Sequence, residues 1–153
     1  MMQWLCLPFS QLSTDQLYDL MKLRVDIFVV EQNCPYHELD NHDRKDGVHH
    51  LLGYKNDKLV AYLRLLPPGT TYDNVSLGRI AIAPSTRSLG LGHSLLQQGL
   101  QQAELLWSGK TIDIGAQAHL QDYYRQYGFT AFSETYLEDD IPHIDMRLTK
   151  SAQ

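Results

Sequence analysis

The run Ile80–Gln97, IAIAPSTRSLGLGHSLLQ, passes from an apolar strand through a proline and a polar loop into two glycines and the start of a helix. Gly90 and Gly92 stand at the mouth of that helix, with Arg87 just upstream. Around Arg87, Ser88, Leu89, Gly90, Leu91, Gly92 and His93, successive backbone N–H groups can point outward. Glycines lack the Cβ that would hold a pyrophosphate away from the main chain. The unpaired N–H groups and dipole of a helix N-terminus favour that anion, and an arginine fork adds charge. A plain strand-to-helix turn is the alternative. Two other nucleotide signatures are excluded. Leu95 occupies the third-glycine position of a dinucleotide fingerprint, and no Gly-Lys-Ser/Thr follows to make a phosphate-binding P-loop.

The 153-residue chain holds 13 Lys and Arg against 18 Asp and Glu, a formal net charge of −5, with 43% hydrophobic residues. That length suits one domain, residues 1–153, with a core that needs no staples. The acidic balance argues against general nucleic-acid binding. No apolar run approaches the roughly 20 residues of a membrane helix. The opening MMQWLCLPFS lacks the basic start and small-residue cleavage site of a signal peptide. Two cysteines, Cys6 and Cys34, are too few for a disulfide framework and show no metal-ligand spacing. The expectation is a cytoplasmic protein with reduced thiols and neither nucleic acid nor membrane as partner.

Residues 3–9 read as a short strand. Ser13 with Gln16 forms a capping box, and Leu17, Leu20, Met21, Val25 and Phe28 recur at helical spacing from about Thr14 until Glu31. The polar run QNCPYHELDNHDRKDG reads as loop. HHLLGY and LVAYLRLL are two strands joined by a hairpin turn over Lys55–Lys58, and VSLGRIAIA is a third β run with Gly78 suggesting a bulge. A long helix follows the glycines, then a strand, TIDIGA. Leu120, Tyr123, Tyr124 and Tyr127 mark a helix that ends at Gly128, and FTAFSETYL and HIDMRLTK close the chain as two strands. This order predicts an α/β or α+β domain on one mixed sheet.

The glycine segment resembles the R/Q-x-x-G-x-G/A acyl-CoA signature of the GNAT family of N-acetyltransferases, and the strand ending Ala83-Pro84 matches what precedes it there. GAQAHLQDYYRQYGF resembles the family's next signature, a strand and a helix with a tyrosine, here Tyr124, shortly before Gly-Phe. Gln117 stands where many members have asparagine. Closer still is the resemblance to the ElaA-type subgroup, which shares RVDIFVVEQNCPY, the Asp40-x-x-Asp43 pair, GAQAHLQ and IPHI. The N-terminal part also faintly resembles acyl-homoserine lactone synthases.

The resemblance implies the GNAT acyl-CoA N-acyltransferase fold, a mixed, mostly antiparallel central sheet flanked by helices. It implies acetyl-CoA as co-substrate, an amine as acceptor, and a homodimer as a common assembly. The thioester would lie where two strands splay after the third β run, with the pantetheine arm on the backbone of Ile80, Ala81 and Ile82. The N–H of Ile82 would serve the oxyanion, and Tyr124 would be the general acid. Spacing alone does not choose between Tyr123 and Tyr124.

Many members carry a glutamate on the third β run as general base, whereas this chain has Arg79. Glu31, His49, His119 and His143 are the alternatives. A metal site fails on spacing in YHELDNHDRKDGVHH, because the twelfth position from Asp40 is Leu51 rather than the glutamate of a calcium loop. A solvated polar loop is the plain reading of this run. The resemblance, in which the segment after the first helix lines the acceptor side of the cleft, makes Glu31, Asp40 and Asp43, with His49 and His143, the expected acceptor-binding residues, negative toward a cationic amine. A catalytically weak acyl-CoA-binding module is the second reading, because the strand glutamate is missing.

Overall fold

The computed structural model describes residues 1–150. An eight-stranded sheet runs β1 (Met2–Pro8), β2 (His49–Lys55), β3 (Lys58–Leu66), β4 (Val75–Ile82), β5 (Ile112–Gln117), β8 (Ile141–Leu148). Two short strands, β6 (Thr130–Ala131) and β7 (Tyr136–Glu138), pair with the other edge of β8. Every pairing is antiparallel except β4 with β5. The expected mixed, mostly antiparallel sheet is therefore present, with FTAFSETYL divided into two strands rather than one.

Local chemistry sets the connections. Ser13 Oγ accepts from the Gln16 N–H (3.0 Å) and Gln16 Oε1 from the Ser13 N–H (2.8 Å), which closes the capping box of α1 (Thr14–Val25). A π-helical segment continues α1 over Asp26–Glu31 and ends where the polar loop begins. Asn56 and Asp57 both adopt positive φ (52° and 63°), the geometry that a two-residue hairpin needs. Asp139 and Asp140 repeat it between β7 and β8 (50° and 62°).

Two apolar layers cover the sheet. Leu20, Leu23 and Ile27, from α1 and its extension, pack over Leu52, Val60, Tyr62 and Ala81. On the opposite face, Leu95, Leu96 and Ala103 of α2 (Leu91–Leu106) meet Leu51, Leu63, Leu77, Ile114 and Met146, together with Tyr124 of α3 (Gln121–Arg125). Each fully buried leucine contributes about 1.5–3 kcal/mol relative to exposure, so α2 is held firmly enough to aim its N-terminus.

Three details depart from expectation. The bulge falls one residue beyond Gly78: Arg79 has φ 51°, and the β3–β4 register shifts between Tyr62 and Arg64, opposite it. The helix expected over Leu120–Tyr127 is a 3-10 turn (Ala118–Leu120) leading into the five-residue α3. The polar loop is folded inward at Glu38 and Asp43, which are 4% and 5% exposed.

Candidate active site

Strands β4 and β5 pair at only two positions, Val75 with Ile112 and Ser76 with Asp113. Beyond them, β4 bends at the Arg79 bulge and follows β3, while β5 follows β8. The strands part and open a cleft of about 890 Å³ lined by β4 from Ser76 to Ile82 and by β5 from Ile114 to Gln117.

Backbone alternation decides what β4 offers to this cleft. Ala83 N–H donates to Val60 O (2.8 Å), and Ala81 lies opposite Tyr62. Alternate residues of an antiparallel pair turn their amides to the same side. Ala81 is therefore turned into the β3 ladder, whereas Ile82 is turned to the cleft, where its carbonyl accepts from Arg87 Nε (3.3 Å). Ile80 lines the cleft from within the bulge.

At the upper end lies the glycine turn. Gly90, at φ 71°, is the N-cap of α2, and no side chain caps the helix. The first bond into the helix body is Ser94 N–H to Gly90 O at 3.4 Å, so the N–H groups of Leu91, Gly92 and His93 have no acceptor within the helix. A Cβ at Gly90 would meet nothing within 4 Å, but one at Gly92 would come 3.4 Å from the Tyr123 hydroxyl. Gly90 thus answers a backbone need, whereas a Cβ at Gly92 would make ordinary contact with that hydroxyl and take up space on the cleft side. Ser88 and Leu89 belong to the 3-10 turn that precedes Gly90, and His93 Nδ1 is hydrogen-bonded to the Tyr127 hydroxyl (2.7 Å). Of the expected loop residues, Arg87 and Gly92 line the cleft; Ser88, Leu89, Gly90, Leu91 and His93 surround them outside it. Arg87 is gripped by Glu31 through two hydrogen bonds (2.8 and 2.6 Å).

Tyr123 and Tyr124 both line the cleft. Tyr124 is 6% exposed, and burial pushes its hydroxyl pKa up to about 12. Its ring stands edge-on to Tyr123 and Phe129. Tyr123 is half-buried and accepts from the Tyr127 hydroxyl (3.3 Å). Gln117 lines the cleft at the end of β5.

The acceptor side differs from expectation. Asp43 is not a negative surface there: Arg24 Nη1 donates to it at 2.6 Å and Arg64 Nη1 at 3.0 Å. Burial would raise its carboxyl, but the bond and charge of Arg24 and the charge of Arg64 hold it below the usual carboxylate range. Asp40 does line the cleft, yet both its oxygens accept from Arg64 (2.9 and 2.7 Å). Arg79 donates through Nε to Glu38 (2.8 Å), which also accepts from the Tyr36 hydroxyl (3.0 Å). Three arginines thus meet three carboxylates, and the cluster as a whole is neutral. His49 points elsewhere, its ring edge-on to Trp107 and its Nδ1 bonded to Gly47 O (2.9 Å). His143 lines the cleft from β8.

Sequence reasoning missed Arg24, Arg64, Arg79 and Glu38 as one unit. One signal was present, since Arg24 follows Leu17 and Leu20 on the apolar stripe of α1, an odd place for a charge. Among the described residues, no group of three His, Cys, Asp or Glu side chains is placed to hold a metal ion, and no helix is long and apolar enough to cross a membrane.

Strands splayed beside a bulge, with free amides at a glycine-led helix N-terminus, define an acyl-CoA N-acyltransferase fold. The chain belongs to the acetyltransferase (GNAT) domain family, which it matches over residues 19–150. It is 43% identical to the protein ElaA of Escherichia coli strain K12 over 95% of each chain. The crystal structure of Escherichia coli ElaA superposes with a TM-score of 0.90 (42% identity, 96% of this chain and 99% of that one). An acyl-CoA N-acyltransferase from Pseudomonas aeruginosa superposes at 0.93 (47% identity, 96% and 99%). An aminoglycoside 6'-N-acetyltransferase complexed with coenzyme A shares the fold at a TM-score of 0.71, with 15% identity.

Proposed function

We propose that this protein is an acetyl-CoA-dependent N-acetyltransferase that passes the acetyl group from the thioester directly to a primary amine. One observation carries this reading. The parting of β4 from β5 after Ser76 and the uncapped N-terminus of α2 open onto one cleft, so an extended thioester can span them.

In this reading the pyrophosphate rests on the N–H groups of Gly92 and its neighbours, beside Arg87. The pantetheine arm runs along Ile80 and Ile82. Ile82 N–H meets the charge that develops on the carbonyl oxygen when the amine attacks, and fixed donors of this kind lower the barrier most. Tyr124, protonated at neutral pH, gives its proton to the departing thiolate. A weak acyl-CoA-binding module remains the second reading, favoured by Arg79 and its ion pairs at the position where many family members carry the base.

Calorimetric titration with acetyl-CoA tests the primary reading in the native chain and in Gly90→Val/Gly92→Val. Micromolar binding by the native chain and none by the variant, with both folded by circular dichroism, is the expected result. No binding by the native chain would reduce the glycines to a turn and remove both readings.

A further inference from the structure

Of the four side chains that the sequence offers as base, the fold leaves one in position. Glu31 lies beside Arg87 at the end of the cleft assigned to the pyrophosphate, His49 lies against Trp107 outside the cleft lining, and His119 is exposed at its edge with no bond among the described residues that orients its ring. His143 is 9% exposed, lines the cleft, and its Nδ1 lies 2.7 Å from Ile141 O. A carbonyl oxygen only accepts, so Nδ1 carries the hydrogen and the lone pair of the neutral ring sits on Nε2.

The surroundings suit a proton acceptor. The His143 ring stacks on Tyr136 (6.1 Å between centroids, 25° between planes), and Glu138 Oε2 lies 3.6 Å from Nε2, placed to stabilise an imidazolium. Register sets His143 opposite Gln117 and Asp145 opposite Gly115. Ile114 and Ala116 face the α2 core, so Gly115, Gln117 and their partners face the other side. Over Gly115, the Tyr72 and Tyr136 hydroxyls both donate to Asp145 Oδ1 (2.7 and 2.6 Å), and a Cβ at Gly115 would come within 2.8 Å of the Tyr72 oxygen. No arginine or lysine pairs with Asp145 among the described residues. Glu138 and Asp139 line the cleft beside it, and no arginine or lysine pairs with either among the described residues, in contrast to the neutral cluster around Asp40.

We propose that His143 is the general base, with Nε2 taking the proton of the acceptor ammonium. The assignment rests on the N-acetyltransferase reading. The ammonium gives one proton to Nε2, and the freed electron pair forms the C–N bond at the thioester carbonyl. The tetrahedral intermediate carries its oxyanion at Ile82 N–H. The C–S bond breaks, the thiolate takes the Tyr124 proton, and the second proton of the new amide nitrogen returns to Tyr124 through water. His143 then releases its proton to solvent, so each turnover yields amide, coenzyme A thiol and one proton. The titratable groups around His143 are Tyr136 and Glu138 of β7, Asp139 and Asp140 of the turn, Asp145 on β8, Tyr72 after β3, and His119 after β5.

The test follows coenzyme A release with a thiol reagent, using glycinamide, Nα-acetyl-lysine methylamide and 1,5-diaminopentane as acceptors. Native chain and His143→Asn are compared from pH 5 to 9. The asparagine amide can still donate toward Ile141 O but offers no base. The expected result is a kcat lowered by about 10²-fold, loss of the acidic limb of the kcat/KM profile, and an unchanged KM for acetyl-CoA. Independently of any acceptor, nitrogen–proton correlation spectra of the native imidazoles should show His143 with its hydrogen on Nδ1. An acidic limb and kcat that survive in His143→Asn, or a hydrogen on Nε2, would overturn the role of His143 alone. Acetyl-CoA binding by calorimetry without release to any of the three amines would overturn the transferase reading, and the base with it.

Discussion

Glu31 and Arg87 come from segments 56 residues apart and meet in a two-bond fork. The hydrogen bonds and charge of Arg87 hold the Glu31 carboxyl below its usual range. The guanidinium plane that fits a carboxylate also fits a pyrophosphate. In the proposed reading, coenzyme A therefore competes with Glu31 for Arg87. Both side chains are about two-fifths exposed (45% and 39%), and exposed pairs contribute only about 0–1 kcal/mol. Glu31→Gln should then tighten acetyl-CoA by no more than about fivefold at low salt, with the gain shrinking as salt is added. Calorimetry at two ionic strengths checks this. Weaker binding by Glu31→Gln would mean that the carboxylate positions Arg87 rather than competing for it.

The charged cluster belongs to the scale of whole elements, because α1, the polar loop, β3 and β4 each contribute to it. Arg24 on α1 is fully buried, and its fork ends on Asp43 and the Glu38 carbonyl. Breaking a buried pair by removing one charge leaves the other uncompensated, at a cost of about 3–5 kcal/mol. Asp43→Asn should lower stability by that order in urea unfolding. A cost under about 1 kcal/mol would show that water reaches Arg24 and Arg64.

These elements also show what was legible beforehand. The Ser13–Gln16 box, the Asn56-Asp57 turn, the glycine-led start of α2 and the Tyr124 signature are local, and each lies within a few residues of sequence. The ion cluster joins positions 24, 38, 40, 43, 64 and 79, and its acids looked like solvated loop because nothing nearby in sequence marks a carboxylate as buried. The bulge moved from Gly78 to Arg79 for a related reason. The ion pairs of Arg79 with Glu38 and Asp40 accompany a positive φ that glycine would have adopted more easily.

At the scale of the whole molecule, acid should act in two stages. His50 is wholly buried between the Tyr62 hydroxyl on Nδ1 (2.6 Å) and the Asp43 carbonyl on Nε2 (2.9 Å), and burial pushes its pKa down. The unfolded chain then binds the proton first, so stability should begin to fall below about pH 6.5, the unfolded value. Asp43 works in the opposite sense of charge. Its carboxyl is held low when folded, so its contribution is complete above about pH 4 and is lost as pH falls through the folded value. Urea midpoints from pH 8 to 3 should show both declines, and His50→Gln should lack the upper one. The two-residue union of β4 with β5 matters here as well. The sheet is in effect two ribbons, β1–β4 and β5–β8, stitched at one end and braced behind by α2. Such a structure resembles a clothes peg: a guest lying between the jaws is touched by both ribbons at once. Whatever fills the gap becomes a cross-member of the sheet, so occupancy should stiffen parts of the chain that make no contact with the guest.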